Sequence, residues 1–255
     1  MAHEPQPAPL NATAGAVIAK EEERIRSVYG ERDASGKGSR YAWWKPDVLL
    51  NVYRFQKEAA ECLRRAGWED LSRLRVLDVG CGSGNWLRQL CTWGARVDNL
   101  HGVDLLPDRI ERARELSPHI DLRVGSGWQL PFESASMDLV TAHTVFSSVP
   151  NGEARQQLAH EMARTLNGNG RILIFDFRVS RPGNRDTVGI GRKEIHRLFP
   201  GFQLVSRTLN LAPPLLRTIA PVSAALAVVL EALCPFLRTH AMYFLEPSGN
   251  DRPAV

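Results

Sequence analysis

The stretch VLDVGCGSG, Val76 to Gly84, constrains this chain more than any other. An apolar run carrying one acid, Asp78, passes directly into three glycines at every second position, Gly80, Gly82 and Gly84, with Cys81 between the first two. A glycine-rich turn lets the backbone approach a ligand closely, and a helix that follows it offers free N–H groups. The pattern therefore predicts a nucleotide-type site at the end of a strand. A dinucleotide fingerprint needs Gly-x-Gly-x-x-Gly, and Asn85 stands where its last small residue belongs. A carboxylate at Asp78 suits an ammonium group and is awkward beside a phosphate, so the expected ligand is zwitterionic or cationic.

The surrounding pattern supplies the scaffold for such a turn. From Leu74 onward, strand-like runs (LRVLDV, LHGVDL, IDLRV, MDLVTAH, RILIFDF) alternate with amphipathic stretches after Gly84, at PDRIERARELS and at GEARQQLAHEMARTL. That alternation implies an α/β fold, a parallel sheet with helices on both faces and right-handed crossovers. Two further strands, FQLVSRTLNL and AMYFLEP, flank an apolar helix around residues 214 to 237, which suggests an antiparallel edge closing the sheet. Ahead of the core, Glu21–Tyr29 and Pro46–Ala66 carry helical spacing, separated by a glycine- and serine-rich loop that turns aromatic. The expected organisation is a disordered tail over 1–20, a helical cap over 21–70, and a core over 71–255 with an inserted apolar lid helix at 213–239.

Composition excludes several classes. Thirty-two Lys and Arg against 28 Asp and Glu leave only +4, scattered in short clusters, which argues against a nucleic-acid groove. Four cysteines without paired spacing make neither a metal site nor a disulfide framework and read as reduced thiols in a cytoplasmic protein. The first twenty residues lack a basic segment followed by an apolar one, so they do not read as a signal peptide. The run IAPVSAALAVVLEALCPFL is interrupted by Pro221, Glu231 and Pro235, and its unbroken part falls short of the ~20 residues that span hydrocarbon. No integral membrane segment is expected; peripheral contact is left open.

With these motifs in hand, the chain resembles the class I S-adenosylmethionine-dependent methyltransferases, in the small-molecule branch related to ubiquinone and menaquinone biosynthesis, over roughly residues 70 to 177. The resemblance implies a Rossmann-like, doubly wound, seven-stranded sheet with its last strand antiparallel. It also implies S-adenosylmethionine as methyl donor, S-adenosylhomocysteine as product, and no metal. Cofactor roles carry over to Asp78, Gly80, Cys81, Gly82 and Gly84. Asp104, closing the second strand 20 residues after Gly84, would accept the ribose hydroxyls, with Leu105 against adenine. After the third strand the family pattern Gly-Asp-Ala is replaced by Gly125, Ser126 and Gly127, followed by Trp128. Ser126 is the candidate partner of the adenine amino group, and Trp128 either stacks on the base or fills the core. Asp138 reads as structural, and Gly168 and Gly170 as turn residues.

On the acceptor side, His143 at the end of the fourth strand is the candidate general base and a further cofactor contact. Tyr41, Trp43 and Trp44 form a candidate aromatic lid, Phe146 a loop contact, and Arg178 a guide for an anionic acceptor. A greasy small molecule is the expected acceptor, with oxygen weakly favoured over carbon and nitrogen, in a monomer or homodimer. Two rivals remain: an RNA or protein methyltransferase of the same fold, and a scaffold that binds the cofactor without turning it over. Against the first, His143-Thr144-Val145-Phe146 lacks the Asn/Asp-Pro-Pro-aromatic pattern of amino-methylating base enzymes.

Overall fold

A computed structural model of the protein describes residues 12–34, 42–180, 183 and 186–248. Seven strands make one sheet: β1 (Val76–Val79), β2 (Leu100–Asp104), β3 (Asp121–Val124), β4 (Met137–His143), β5 (Leu166–Phe177), β6 (Phe202–Leu211) and β7 (Arg238–Pro247). Their spatial order is β3-β2-β1-β4-β5-β7-β6. The first five are parallel, and β7 runs antiparallel to both β5 and β6. This is the doubly wound, mostly parallel sheet expected from the alternation of patterns.

Helices cover both faces because each parallel connection must cross over. The helices are α1 (Ala12–Ala34), α2 (Pro46–Arg65), α3 (Asn85–Thr92), α4 (Pro107–Leu116), α5 (Gly152–Thr165), α6 (Arg192–Leu198), α7 (Pro213–Ile219) and α8 (Ala224–Leu233). Local chemistry starts several of them. Pro46 and Pro107 occupy first-turn positions in α2 and α4, where a missing N–H costs nothing, and Asn151 caps α5 by accepting from Ala154 N at 2.9 Å. One core cluster joins α1, α5 and α6 to the sheet through Ile18, Leu158 and Ile195, and the other joins α2, α3 and α4 through Leu63, Leu87 and Ile110.

Three expectations need correction. Helix α1 reaches back to Ala12, into the stretch read as a tail over 1–20, and buries Ile18 and Glu21. The apolar insert is two helices, not one. Pro221 cannot donate a backbone N–H, and Ser223 starts the second helix by accepting from Leu226 N at 3.1 Å. Gly168 and Gly170 lie within β5, where pairing jumps from Met137–Leu166 to Leu139–Arg171, so this is a bulge and not a turn. Gly170 is required there by close approach, since a Cβ would sit 2.9 Å from the Asp138 carbonyl and 2.6 Å from Leu166.

Candidate functional site

Strand order locates the site. From β1 the chain steps outward to β2 and β3, then returns to place β4 on the other side of β1, so the connections after β1 and β4 diverge and leave a crevice at the carboxyl ends. A cavity of about 110 Å³ lies in it. Its floor and near wall are Val79, Gly80, Val103, Asp104, Leu105 and Leu106.

The glycine loop is bent as its sequence requires. Gly80, Gly82 and Gly84 all have positive φ, at 72°, 54° and 77°, a region that L side chains rarely occupy. Gly80 is doubly constrained, because a Cβ would lie 2.6 Å from Val145 Cγ2. Gly80 N and Cys81 N both donate to Val103 O, at 2.7 and 3.0 Å, which welds the loop to β2. Asp104 completes the weld: Oδ2 accepts from Gly82 N at 2.8 Å and Oδ1 from Leu106 N at 2.9 Å. Each oxygen keeps further acceptor capacity.

Asp78 does not line the cavity. It is 2% exposed, and its Oδ1 accepts from Thr141 Oγ1 at 2.6 Å. Burial pushes its pKa up to about 7, against the lowering effect of the Thr141 bond. Cys81 likewise faces the core, its thiol beside Gly102 and its pKa raised by burial. Ser126 turns its Oγ back to accept from Trp128 N at 3.2 Å, while Gly127 and Trp128 line the cavity. Trp128 also fills the core: it is 4% exposed, and Nε1 donates to Ala154 O at 2.7 Å.

The far wall is the loop after β4. Thr144, at φ 56°, is a β-branched residue in the left-handed region, and Val145, Ser148 and Val149 follow it along the cavity. Long-range bonds hold this loop. Asp176, fully buried, accepts from Ser147 N at 3.1 Å and from Phe177 N at 2.8 Å; burial raises its pKa to about 6. The Arg155 guanidinium, 4% exposed, donates to Phe146 O and Val149 O and reaches Glu194 at 2.7 Å. Phe146 is fully buried against Phe199, so it supports the loop from behind and does not face an acceptor.

The cover comes from α1, part of the helical cap expected over 21–70, through two residues that the sequence did not single out. Ile25 and Tyr29 line the cavity, Tyr29 Oη lies 3.0 Å from Ser148 Oγ, and the guanidinium of Arg109 stands 4.4 Å from the Tyr29 ring centroid. The expected aromatic lid is elsewhere. Trp43 and Trp44 are 74% and 64% exposed and absent from the cavity wall; Tyr41 lies outside the described residues. Arg178 is taken up by the start of β7, donating to Arg238 O at 2.8 Å.

His143 lies at the cavity margin, but its ring packs against Phe55 and Trp86, with centroids at 4.8 and 5.3 Å. Burial drives its pKa down to about 3, so the imidazole stays neutral and is a poor proton acceptor. Packing and burial count against the general-base role expected of it. A row of rings continues from Phe55 to Phe175 and from there to His240, which stacks on Phe175 at 5.2 Å. Among the described residues, no group of three His, Cys, Asp or Glu is placed to hold a metal ion.

Comparison with known proteins places this geometry. Residues 76–170 match a family described as a methyltransferase domain. A ubiquinone biosynthesis O-methyltransferase of Xanthomonas oryzae pv. oryzae is 31% identical over 169 residues, 62% of this chain and 65% of the relative. A demethylmenaquinone methyltransferase of Lactobacillus johnsonii is 29% identical over 133 residues, 50% of this chain and 52% of the relative. The chain thus matches less than two thirds of these relatives' length. Among solved structures, the geranyl diphosphate C-methyltransferase of Streptomyces coelicolor A3(2) superposes with a TM-score of 0.58 at 16% identity, over 81% of this chain and 84% of that one. The PH0226 protein of Pyrococcus horikoshii OT3 gives 0.55 at 18% identity, over 82% and 98%. At these identities the likeness is one of fold.

Proposed function

We propose that this chain has a class I S-adenosylmethionine-dependent methyltransferase core and transfers a methyl group from that cofactor to a hydrophobic small molecule. The observation that carries the reading is the glycine loop welded to Asp104 in the switch-point crevice. A neutral, backbone-rich loop beside one carboxylate suits a ribose and a zwitterionic tail better than a pyrophosphate. Asp104 would accept the ribose hydroxyls through its remaining lone pairs, and Leu105, Val103 and Trp128 would pack on the base. The bound cofactor supplies a methyl group already activated on a sulfonium.

This chain's residues then have three tasks: alignment, exclusion of water and tolerance of a greasy acceptor. Ile25 and Tyr29 cover the cavity, and the ring row from Trp86 to His240 makes the neighbouring strand ends apolar. No buried base is offered by His143, so acceptors that ionise near neutral pH, such as acidic phenols or enols, are the first to screen. The related proteins named for quinone biosynthesis act in the same direction.

Calorimetric titration with S-adenosylmethionine and S-adenosylhomocysteine tests the reading. Wild type is expected to bind both in the micromolar range, and Asp104→Ala to bind about 1–3 kcal/mol more weakly. A folded wild type that binds neither ligand would remove the basis for methyl transfer. Binding without turnover across phenolic, enolic and prenylated acceptors would favour the cofactor-binding scaffold instead.

A further inference from the structure

Helix α8 of the insert has its polarity the wrong way round for a helix facing water. A surface helix normally turns its charges outward and its apolar stripe inward. In α8 the only charged residue, Glu231, is 2% exposed and points inward, where it meets Arg54 at 2.5 Å and accepts from Asn210 N at 3.2 Å. Its outer face carries Leu226, Val229 and Leu233, exposed by 53%, 52% and 75%, with Val222 and Phe236 bared at either end. From residue 212 to 237 the only other charge is Arg217. Trp43 and Trp44 belong to the same region, because Asp47 at the start of α2 lies 3.6 Å from Arg217 of α7. Exposed apolar surface of this extent marks a contact.

The charges around it choose the partner. Residues 45–59 and 212–238 hold five bases, Lys45, Arg54, Lys57, Arg217 and Arg238, against three acids. Each acid faces a guanidinium: Asp47 with Arg217, Glu58 with Arg207, Glu231 with Arg54. Those pairs take up Arg54 and Arg217 as well, and Lys45, Lys57 and Arg238 leave the stretches around the face with a positive excess. A second copy would have to pair this face with itself about a two-fold axis, bringing like-charged rims together. Anionic headgroups complement the rim, and tryptophans favour the level of the bilayer interface. Among the described residues no helix is long and apolar enough to cross a membrane, so the contact lies on the surface of one.

We propose that the outer face of α7–α8, with Trp43 and Trp44, docks on the interface of an anionic lipid bilayer. This stands apart from the methyl-transfer reading, since none of these residues lines the cofactor cavity. The test is co-sedimentation of the full chain with vesicles of pure phosphatidylcholine and of phosphatidylcholine with phosphatidylglycerol. It is run on wild type, on Leu226→Gln/Leu233→Gln/Phe236→Gln, and on Arg217→Gln, with thermal unfolding as the check on folding. Wild type is expected to sediment with the anionic vesicles, the triple variant to partition at least about tenfold more weakly, and Arg217→Gln to lose a few-fold only. Wild type remaining in the supernatant, or a folded triple variant sedimenting as wild type does, would overturn it. So would a dimeric mass in solution that the triple variant abolishes without any effect of vesicles, because a second copy would then be the occupant.

Discussion

The carboxyl end of the sheet is built in two ways. Over β1 and β2 it is made of backbone: Gly80, Cys81 and Gly82 donate N–H groups to Val103 O and Asp104, and no side chain of the loop reaches the cavity. Over β4, β5 and β7 it is made of rings, with His143 and Phe175 packed under Phe55 of α2 and His240 stacked on Phe175. Backbone geometry recognises one ligand strictly, and at Gly80 it leaves no room for an added methyl. Apolar rings exclude water and discriminate weakly, by about 1–3 kcal/mol per methylene. The first half suits a fixed cofactor and the second a variable acceptor.

The largest effect is expected where the backbone half is broken. Gly80→Ala must hold φ near 72° and place a methyl 2.6 Å from Val145 Cγ2. Left-handed backbone costs about 1–2 kcal/mol and overpacking about 1–3 kcal/mol. A loss of roughly 3 kcal/mol in chemical denaturation is expected, with S-adenosylhomocysteine binding falling below detection. A variant of wild-type stability and affinity would show that the loop is neither tight nor part of the site.

This half was also the legible half. The β/α alternation, the strand-to-glycine turn and Asp104 are local chemistry, fixed within a few residues of the chain. The parts that sequence did not disclose depend on distant partners. Tyr29 reaches Ser148 across 119 positions, and α1 carries no wide apolar stripe to announce what it covers. Arg155 reads as one more arginine on an amphipathic helix, yet its bonds to Phe146 O, Val149 O and Glu194 fix the cavity's far wall. His143 invited a catalytic reading because of its strand-end position, and only packing reveals that Phe55 and Trp86 enclose it. Trp43 and Trp44 stand near the cavity in sequence, but α2 begins immediately after them on the side of α7.

The ring half is probed by His143→Phe, which keeps the row and removes the titratable group. The folded pKa of about 3 lies below the ordinary value of 6.5, so the unfolded chain binds the extra proton between these limits. Stability from this site is then complete above about pH 6.5 and is lost as pH falls toward 3. At pH 5 the loss amounts to about 2 kcal/mol. Wild type is expected to weaken by about that amount relative to the Phe variant between pH 7 and pH 5, with turnover at pH 7.5 unchanged within a few-fold. A drop of a hundredfold or more in kcat with cofactor affinity intact would restore the imidazole as the general base and make this half specific after all.

The smallest effect is expected at the seam between the two halves, where Tyr29 of α1 rests on Ser148 and under the guanidinium of Arg109. Its hydrogen bond and cation–π contact each contribute about 1 kcal/mol or less at a partly exposed site. The cavity beneath, about 110 Å³, is smaller than the ~300 Å³ from which pockets for drug-sized ligands begin, so a bound nucleoside is expected to displace its α1 cover. Tyr29→Ala therefore acts on both entry and exit. S-adenosylhomocysteine is expected to dissociate several-fold faster in stopped flow, associate somewhat faster, and bind about 1 kcal/mol more weakly. Tyr29→Phe keeps the ring over Arg109 and should recover most of the affinity. If both variants exchange ligand at the wild-type rate, α1 is a fixed wall and the seam is as rigid as the glycine loop beside it.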